Sequence, residues 1–108
     1  MADEILNQIK KEIESNPIVV FTKGTKEMPM CGFSARTIAL FKEIGRPFKT
    51  VDILPDPRIR QTLSAYSNWP TIPQIFIAGK FVGGCDIVTE MHQKGELKPL
   101  VEAAFDTK

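Results

Sequence analysis

The apolar positions of this chain recur with two different periods, one typical of helices and one typical of strands. Near the start, apolar residues fall on one helical face and predict a helix that Asp3 caps and that ends at Ser15. These apolar residues are Ile5, Leu6, Ile9 and Ile13. The continuous apolar run over residues 18–22 predicts a buried strand instead. The same patterns predict helices over 32–44, 58–66, 86–93 and 98–105, and strands over 48–53, 74–77 and 81–82.

The order of these elements indicates an α/β domain. A strand, a helix and a strand are followed by a helix, a β-hairpin that turns at residues 78–80, and further helices. This order predicts a four-stranded mixed sheet flanked by helices and resembles the thioredoxin-like fold, to which the N-terminal helix is an addition. No repeat or low-complexity tract interrupts the sequence, so we expect a single domain over residues 1–108.

Composition restricts the partners and the compartment that we expect. Lys and Arg number 14 and Asp and Glu number 13, so the net charge of +1 gives no general attraction to nucleic acid or to an anionic membrane. No apolar stretch is long enough to span a bilayer. The chain has two cysteines and opens Met1-Ala2-Asp3-Glu4 without an apolar leader, so we expect a reducing compartment, the cytoplasm.

The segment Met30-Cys31-Gly32-Phe33-Ser34 lies where a loop meets the start of the second predicted helix. The first N–H groups of a helix lack partners within it and carry its positive dipole end, and both favour a thiolate over a thiol. In a Cys-x-x-Cys redox motif the second thiol would stand at Ser34, which cannot form a disulfide. Cys31 is therefore predicted to be reactive and to work with an external thiol or a metal. A buried structural thiol is the alternative interpretation.

Four sequence blocks, taken in order, resemble the monothiol glutaredoxins of the CGFS class. The blocks are Phe21-Thr22-Lys23-Gly24-Thr25, Pro29-Met30-Cys31-Gly32-Phe33-Ser34, Trp69-Pro70-Thr71-Ile72-Pro73-Gln74 and Gly83-Gly84-Cys85-Asp86. The resemblance spans residues 3–105 and implies a single-domain member of this class. It implies glutathione as a ligand, with Cys31 as the redox-active residue and as the ligand of a shared 2Fe–2S cluster.

For the glycine carboxylate of glutathione, the resemblance implies two basic residues, Lys23 and Arg60. Lys23 leaves the first strand beside the cysteine loop, where an ammonium also stabilises a thiolate. Arg60 offers a planar fork suited to a carboxylate, although Arg58 lies near enough to replace it. For each of these two basic residues, the alternative interpretation is an ordinary role on the solvated surface. The resemblance also implies a cis bond before Pro73, which turns the backbone of Ile72 toward the cysteinyl part of glutathione.

The glycine-rich turn before the predicted helix 86–93 is the remaining implied contact. By resemblance, N–H groups of this turn, including that of Cys85, bind the γ-glutamyl carboxylate of glutathione, and Asp86 meets its ammonium. Asp86 has a second interpretation as a helix cap. The thiol of Cys85 has three open interpretations: a small apolar residue, a redox partner of Cys31, or a cluster ligand. We expect packing roles for Tyr66 and Trp69, and a position on a helix surface, without a metal role, for His92.

Two functions compete for this site. A 2Fe–2S cluster needs four ligands, so one credible thiolate per chain predicts a homodimer completed by two bound glutathiones. The resemblance implies the same: CGFS proteins carry clusters, help sense iron, pair with BolA-type proteins, supply apo iron–sulfur proteins and show little activity on the usual disulfide substrates. The loop over 24–29 exceeds what the connection needs, and we expect it to favour metal sharing. The alternatives are glutathione-dependent thiol–disulfide exchange (deglutathionylation) through Cys31 and an adaptor in which that thiol is incidental.

Overall fold

The computed structural model describes residues 2–106 of the chain. In chain order its elements are α1 (Ala2–Ser15), β1 (Ile18–Thr22), α2 (Gly32–Ile44), β2 (Lys49–Asp52), α3 (Pro57–Ser67), β3 (Gln74–Ile77), β4 (Lys80–Gly83), α4 (Cys85–Gln93) and α5 (Leu97–Asp106). The predicted helices and strands are confirmed, and apart from the start of α1, an observed end that differs from the predicted one does so by one residue. The side chain of Asp3, the predicted cap of α1, lies outside the described residues, and α1 already begins at Ala2.

The strands form one mixed sheet in the order β2-β1-β3-β4. β1 pairs parallel with β2 and antiparallel with β3, and β3 pairs antiparallel with β4. Every residue of β1 is buried, because this strand has a neighbour on each edge and helices over both faces. This position explains the continuous apolar run in the sequence. The architecture is the thioredoxin-like fold that the element order predicts, with α1 added at the N-terminus.

Side chains of β1 alternate between two hydrophobic layers. Val19 and Phe21 face the layer beneath α1 and α3, whereas Ile18 and Val20 face the layer beneath α2, α4 and α5. The first layer is completed by Ile5, Ile9, Ile13, Ile53, Leu63, Ile72 and Phe76, and the second by Phe41, Ile75, Ile77, Val88, Leu97, Val101 and Ala104. The side chain of Ile72 thus anchors the segment before β3 in the first layer.

Two helix ends help to position the functional site. α2 ends where the sequence predicts, with Gly45 in the left-handed region at its C-terminus. α3 begins one residue earlier than predicted, because the Asp56 side chain accepts a hydrogen bond from the Arg58 N–H and Pro57 fits the first helical position. Over residues 2–106, no helix combines the length and the apolar character that crossing a membrane requires.

Candidate functional site

One end of the sheet carries a cleft of about 440 Å³. The residues that the sequence singles out for reaction or for glutathione binding all line it: Lys23, Cys31, Arg60, Ile72, Cys85 and Asp86. Its walls are completed by Phe33, Trp69, Thr71, Pro73, Gly84 and Ile87. Because these residues come from distant parts of the chain, only the fold brings them together.

The sheet topology sets the order of the groups along this cleft. β1 and β4 both run antiparallel to β3, so the C-terminal ends of β1 and β4 lie beside the N-terminal end of β3. Lys23 follows β1, Ile72 precedes β3, and Asp86 follows β4. Neighbouring strands lie about 4.8 Å apart, so the ends of β1 and β4 are separated by roughly 10 Å. The main chain of Ile72 therefore lies between a basic residue and an acidic one.

Cys31 occupies the N-cap position of α2, in an extended conformation with φ −149° and ψ 137°. Its thiol is partly exposed. The backbone N–H of Ser34 has the largest effect in lowering the pKa of Cys31, and burial partly opposes it. The N–H of Phe33, the charge of Lys23 and the hydroxyl of Ser34 lower this pKa further. The described residues thus give the thiol the helix-terminus environment that the sequence predicts, and this environment favours the thiolate.

Ser34 has a role that the sequence analysis did not assign. Its side chain is fully buried, and its Oγ accepts a hydrogen bond from the backbone N–H of Lys23 at 3.1 Å. This bond joins the end of β1 to the first turn of α2 and keeps Lys23 near Cys31. A hydrogen bond from the same hydroxyl also helps to lower the pKa of Cys31. A short hydroxyl side chain in the first turn of a helix after a strand was the available signal.

The loop between β1 and α2 closes on itself. Thr25 and Met28 exchange backbone hydrogen bonds of 3.2 Å, and the N–H of Met30 donates to the carbonyl of Lys23 at 2.8 Å. Gly24 has a φ of +95°, and a Cβ there would lie 2.5 Å from the carbonyl oxygen of Met28, so this position requires glycine. The loop is therefore a compact unit in which Met28 and Met30, just before Cys31 in the chain, are 72% and 67% exposed.

The two candidate arginines have different surroundings. Arg60 lines the cleft, and its Nη2 lies 3.4 Å from the carbonyl oxygen of Pro70, a long contact that a ligand can replace. Arg58 is not among the cleft residues and pairs with Asp56, with Nη2 to Oδ2 at 2.7 Å. The hydrogen bond of this pair lowers the pKa of the Asp56 carboxyl and raises the pKa of Arg58. The structure therefore places Arg60, rather than Arg58, beside Lys23 at the cleft.

The segment before β3 presents main chain to the cleft. The peptide bond between Ile72 and Pro73 is cis, as predicted. The side chain of Ile72 is only 6% exposed, while the residue borders the cleft. Below it, Nε2 of the buried Gln74 donates to the carbonyl oxygens of Trp69 and Thr71, at 3.0 and 3.2 Å. No role was predicted for the Gln74 side chain, although a polar residue at the start of an apolar strand was a visible signal.

The N-terminus of α4 forms the wall that follows β4. Gly84 is the N-cap of this helix and Cys85 its first residue, so the interpretation of Asp86 as the cap is wrong. Asp86 lies in the first turn with an exposed side chain that borders the cleft. A Cβ on Gly84 would lie 3.3 Å from the Pro73 carbonyl oxygen and 3.4 Å from Nε1 of Trp69. The turn is therefore packed closely against the segment before β3.

Cys85 has the environment of a small core residue. It is 5% exposed, and its Sγ lies 3.9 Å from Oγ1 of Thr89. Both cysteines are free thiols in this structure. These contacts favour the first of the three interpretations of Cys85, a small apolar residue that contributes its backbone to the turn.

The other side chains noted in the sequence serve packing or the surface. The ring of Trp69 packs 5.5 Å from that of Phe81, and Trp69 is also part of the cleft wall. Tyr66 stacks on an aromatic ring of β3, as its packing role predicts. Nε2 of His92 lies 3.0 Å from Oε2 of Glu43 and joins α4 to α2 at the surface. In the part of the chain that the structure describes, no three His, Cys, Asp or Glu side chains form a metal-binding group.

Known proteins resemble this chain in sequence and in fold. The Glutaredoxin family model matches residues 18–82, more than half of the chain. An uncharacterized monothiol glutaredoxin (ycf64-like) of Synechocystis sp. is 47% identical over 105 residues, which cover 97% of this chain and 98% of that protein. Glutaredoxin 4 of Pasteurella multocida is 51% identical over 98 residues, with 91% and 90% covered. The crystal structure of a buckwheat glutaredoxin–glutathione complex has a TM-score of 0.86 at 31% identity, with 95% of this chain and 92% of that chain covered.

The fold and the cleft define a thioredoxin-like protein with a single accessible thiol at the start of α2. The family model and the relatives together make the assignment to a family specific, because their matches cover the sheet, the thiol and the turn before α4. The chain belongs to the glutaredoxin family and is one of its monothiol members.

Proposed function

We propose that the cleft binds glutathione, and that Cys31 and bound glutathione together hold a 2Fe–2S cluster that the protein carries to other proteins. One observation carries this proposal: complementary groups line the same cleft as one accessible thiol, with a cation after β1 (Lys23), a second on α3 (Arg60) and an acidic residue at the start of α4 (Asp86). Glutathione has a carboxylate at one end, a thiol in the middle and an amino acid group at the other end. The similar buckwheat protein is described as a complex with glutathione.

Each part of glutathione meets a group of fitting chemistry along the cleft. Lys23 and Arg60 bind the glycine carboxylate by charge-assisted hydrogen bonds. The main chain of Ile72 pairs with the cysteinyl backbone, as one strand pairs with another. At the far end, the first N–H groups of α4 bind the γ-glutamyl carboxylate, and the Asp86 carboxylate pairs with the ammonium. This arrangement brings the glutathione sulfur beside the sulfur of Cys31.

The number of available ligands supports a cluster shared between two copies. A 2Fe–2S cluster takes four ligands, most often thiolates. Cys31 is the accessible thiol at the cleft, whereas Cys85 is buried against Thr89. Two copies of the chain and two glutathiones supply four sulfurs. As cargo, the cluster is then held by the Cys31 sulfurs, and the lowered pKa of Cys31 favours the thiolate that a metal ligand requires.

Transfer of such a cargo needs protein partners. We propose apo iron–sulfur proteins as recipients and BolA-type proteins as partners, on the strength of the resemblance. The exposed side chains of Met28, Met30 and Phe33 support this proposal, because they present apolar surface suited to protein contacts within three residues of Cys31 in the chain. The two free thiols fit a reducing compartment, and we propose the cytoplasm as the place of action.

A second function, thiol–disulfide exchange, is favoured by the lowered pKa of Cys31. In this reaction the Cys31 thiolate attacks the glutathione sulfur of a glutathionylated protein. A disulfide forms between Cys31 and glutathione, and the protein thiolate leaves. A second glutathione thiolate then attacks that disulfide, releasing oxidised glutathione and restoring the Cys31 thiolate. Ser34 does not hinder this route, because the resolving thiol comes from solution.

Anaerobic reconstitution distinguishes the two functions. The protein is incubated with iron, sulfide and glutathione, and its visible spectrum and mass in solution are recorded. The cluster proposal predicts absorbance between roughly 300 and 600 nm that needs glutathione, accompanies a dimer and disappears in Cys31→Ser. Cys85→Ser, which keeps the backbone N–H, is expected to retain this absorbance. A colourless monomer that reduces a glutathionylated substrate would contradict the proposal and leave exchange as the function.

Glutathione binding is tested with the two neighbouring arginines. Arg60→Gln removes a cation at the cleft, whereas Arg58→Gln removes one that pairs with Asp56. Loss of a charge-assisted hydrogen bond predicts glutathione binding about tenfold weaker in Arg60→Gln, measured by titration calorimetry. Arg58→Gln is expected to bind within about twofold of the unchanged protein. Equal weakening in both variants would mean that net charge, not a specific contact, attracts glutathione.

A further inference from the structure

Gln74 is a buried polar residue in a strand that is otherwise apolar. It is fully buried at the start of β3, where it is followed by Ile75, Phe76 and Ile77. Both carbonyl groups that it contacts accept from Nε2, which identifies the NH₂ end of the amide. An amide in this position is unfavourable unless it is hydrogen-bonded. Packing alone therefore does not explain why a glutamine occupies this position.

The two carbonyls belong to the segment that presents main chain to the cleft. They are those of Trp69 and Thr71, at 3.0 and 3.2 Å from Nε2 of Gln74. The carbonyl of Thr71 and the N–H of Ile72 are in one peptide unit, which is trans, since the cis bond of this segment follows Ile72. In a planar trans peptide the C=O and the N–H point in opposite directions. When Gln74 holds this carbonyl toward the core, it directs the N–H of Ile72 outward.

The N–H of Ile72 is available for a ligand. Within residues 2–106, no group accepts a hydrogen bond from it. The residue borders the cleft, although its side chain is packed in the core. The Ile72 N–H is therefore placed to donate a hydrogen bond to the backbone of a peptide ligand bound in the cleft.

The second carbonyl connects the same amide to the other wall of the cleft. Gln74 holds the main chain of Trp69, whose backbone N–H also donates to the carbonyl of Ser64 at 3.2 Å. The indole of Trp69 lies against Gly84, the N-cap of α4, where a Cβ would be 3.4 Å from Nε1. One buried amide thus supports both the Ile72 main chain and, through Trp69, the turn that precedes Asp86.

We propose that Gln74 is a positioning residue for ligand binding: its amide orients the peptide between Thr71 and Ile72, so that the Ile72 N–H is preset to bind the cysteinyl carbonyl of glutathione. The inference rests on the proposed binding of glutathione and adds a residue that does not touch the ligand. The Oε1 atom of Gln74 is buried without a partner among the described residues, so only the donor end of the amide is used.

The test compares Gln74→Met with a matched variant of the next residue, Ile75→Val. Methionine keeps the length and burial of glutamine but removes both donors. Ile75 is fully buried in the other layer, and its loss of a methyl group lowers Tm without contact to the cleft. Titration calorimetry with glutathione is expected to give a Kd about tenfold higher for Gln74→Met and within about twofold for Ile75→Val. Equal Kd values in Gln74→Met and the unchanged protein would overturn the proposal.

A measurement on the unchanged protein keeps the proposal testable if Gln74→Met fails to fold. Amide hydrogen exchange followed by NMR is expected to show the Ile72 N–H exposed in the free protein and slowed about tenfold or more by saturating glutathione. The side-chain NH₂ protons of Gln74 are expected to be protected in both states. Glutathione binding without any change at the Ile72 N–H would overturn the role of Gln74 and leave the proposed function intact. Failure of glutathione to bind at all would instead reject the proposed function.

Discussion

Two helices of this protein begin at the same cleft, and each has a cysteine at its start. Cys31 is the N-cap of α2 and is partly exposed, and the pKa of its thiol is lowered by the N–H groups of Ser34 and Phe33 and by Lys23. Cys85 is the first residue of α4, is 5% exposed and contacts Thr89. The start of α2 is thus suited to sulfur chemistry, and the start of α4 to binding through its backbone.

This contrast shows that a helix N-terminus does not by itself make a thiol reactive. Position by one residue matters, because an N-cap side chain reaches back over the first N–H groups, whereas the next residue is already helical. Solvent access and a nearby cation matter as well. In the described structure, only Cys31 combines the N-cap position, solvent access and a nearby cation. The cation is Lys23, whose backbone N–H is hydrogen-bonded to Ser34.

The largest expected effect comes from exchanging each cysteine for serine. When the folded protein is treated briefly with iodoacetamide, we expect alkylation at Cys31, because the thiolate is the reacting form. The Cys31→Ser variant is expected to show essentially no labelling. Cys85→Ser is expected to be labelled like the unchanged protein, since Cys85 is buried. Mass spectrometry of intact protein measures both. Rapid native labelling of Cys85 would remove the contrast between the two helix starts.

Removing the charge near Cys31 tests why the start of α2 is different. Lys23→Met is expected to weaken glutathione binding about tenfold and to move the pH midpoint of Cys31 alkylation upward, because the Lys23 charge lowers that pKa. Lys26→Met is the control from the same loop, since Nζ of Lys26 donates to the carbonyl of Phe48 and the residue does not line the cleft. The same upward shift in both variants would indicate a general effect of charge.

Much of this contrast could be predicted from the sequence, because it depends on local order along the chain. A strand, a loop and a helix start around Cys31 are visible in the apolar pattern, and the resemblance implied the residues that the cleft brings together. The cis bond before Pro73 was also predicted correctly. The cis bond was implied by the resemblance, whereas the strand, loop and helix start follow from the residues of short segments.

What could not be predicted depends on side-chain direction or on a single-residue boundary. The bond from the Lys23 N–H to Ser34 joins positions 11 residues apart, and hydrophobic periodicity carries no information about it. The contacts of Gln74 depend on how the preceding segment folds back over β3. The sequence pattern does not define the first residue of α4 precisely enough to identify its cap. Asp86 was therefore a candidate, whereas the helix begins at Cys85 and Gly84 is its N-cap.

The bond between Ser34 and Lys23 gives a smaller and more specific prediction. Ser34→Ala is expected to move the pH midpoint of Cys31 alkylation partly upward: the hydroxyl donor is lost, while the backbone N–H of Ser34, the largest cause of the lowered pKa, is kept. At neutral pH the thiolate fraction and the rate therefore fall. Stability is expected to fall by about 1 kcal/mol, because the Lys23 N–H loses its acceptor. Thr37→Val, which removes another buried hydroxyl of α2, is expected to lower stability without moving the midpoint.

The smallest expected effect concerns the start of α4, where binding rather than reaction is proposed. Asp86→Asn removes an exposed carboxylate at the cleft. Because an exposed ion pair contributes little to the binding energy, glutathione is expected to bind the variant only about two- to fivefold more weakly. Cysteinylglycine, which lacks the γ-glutamyl group, is expected to bind the variant and the unchanged protein equally. Glu90→Gln is the matched control, because Glu90 lies on the same helix and pairs with Lys94. If cysteinylglycine lost as much affinity as glutathione, Asp86 would act through the fold of the turn and not through the ammonium. The start of α4 would then bind glutathione by its backbone alone, which would make the difference between the two helix starts sharper still.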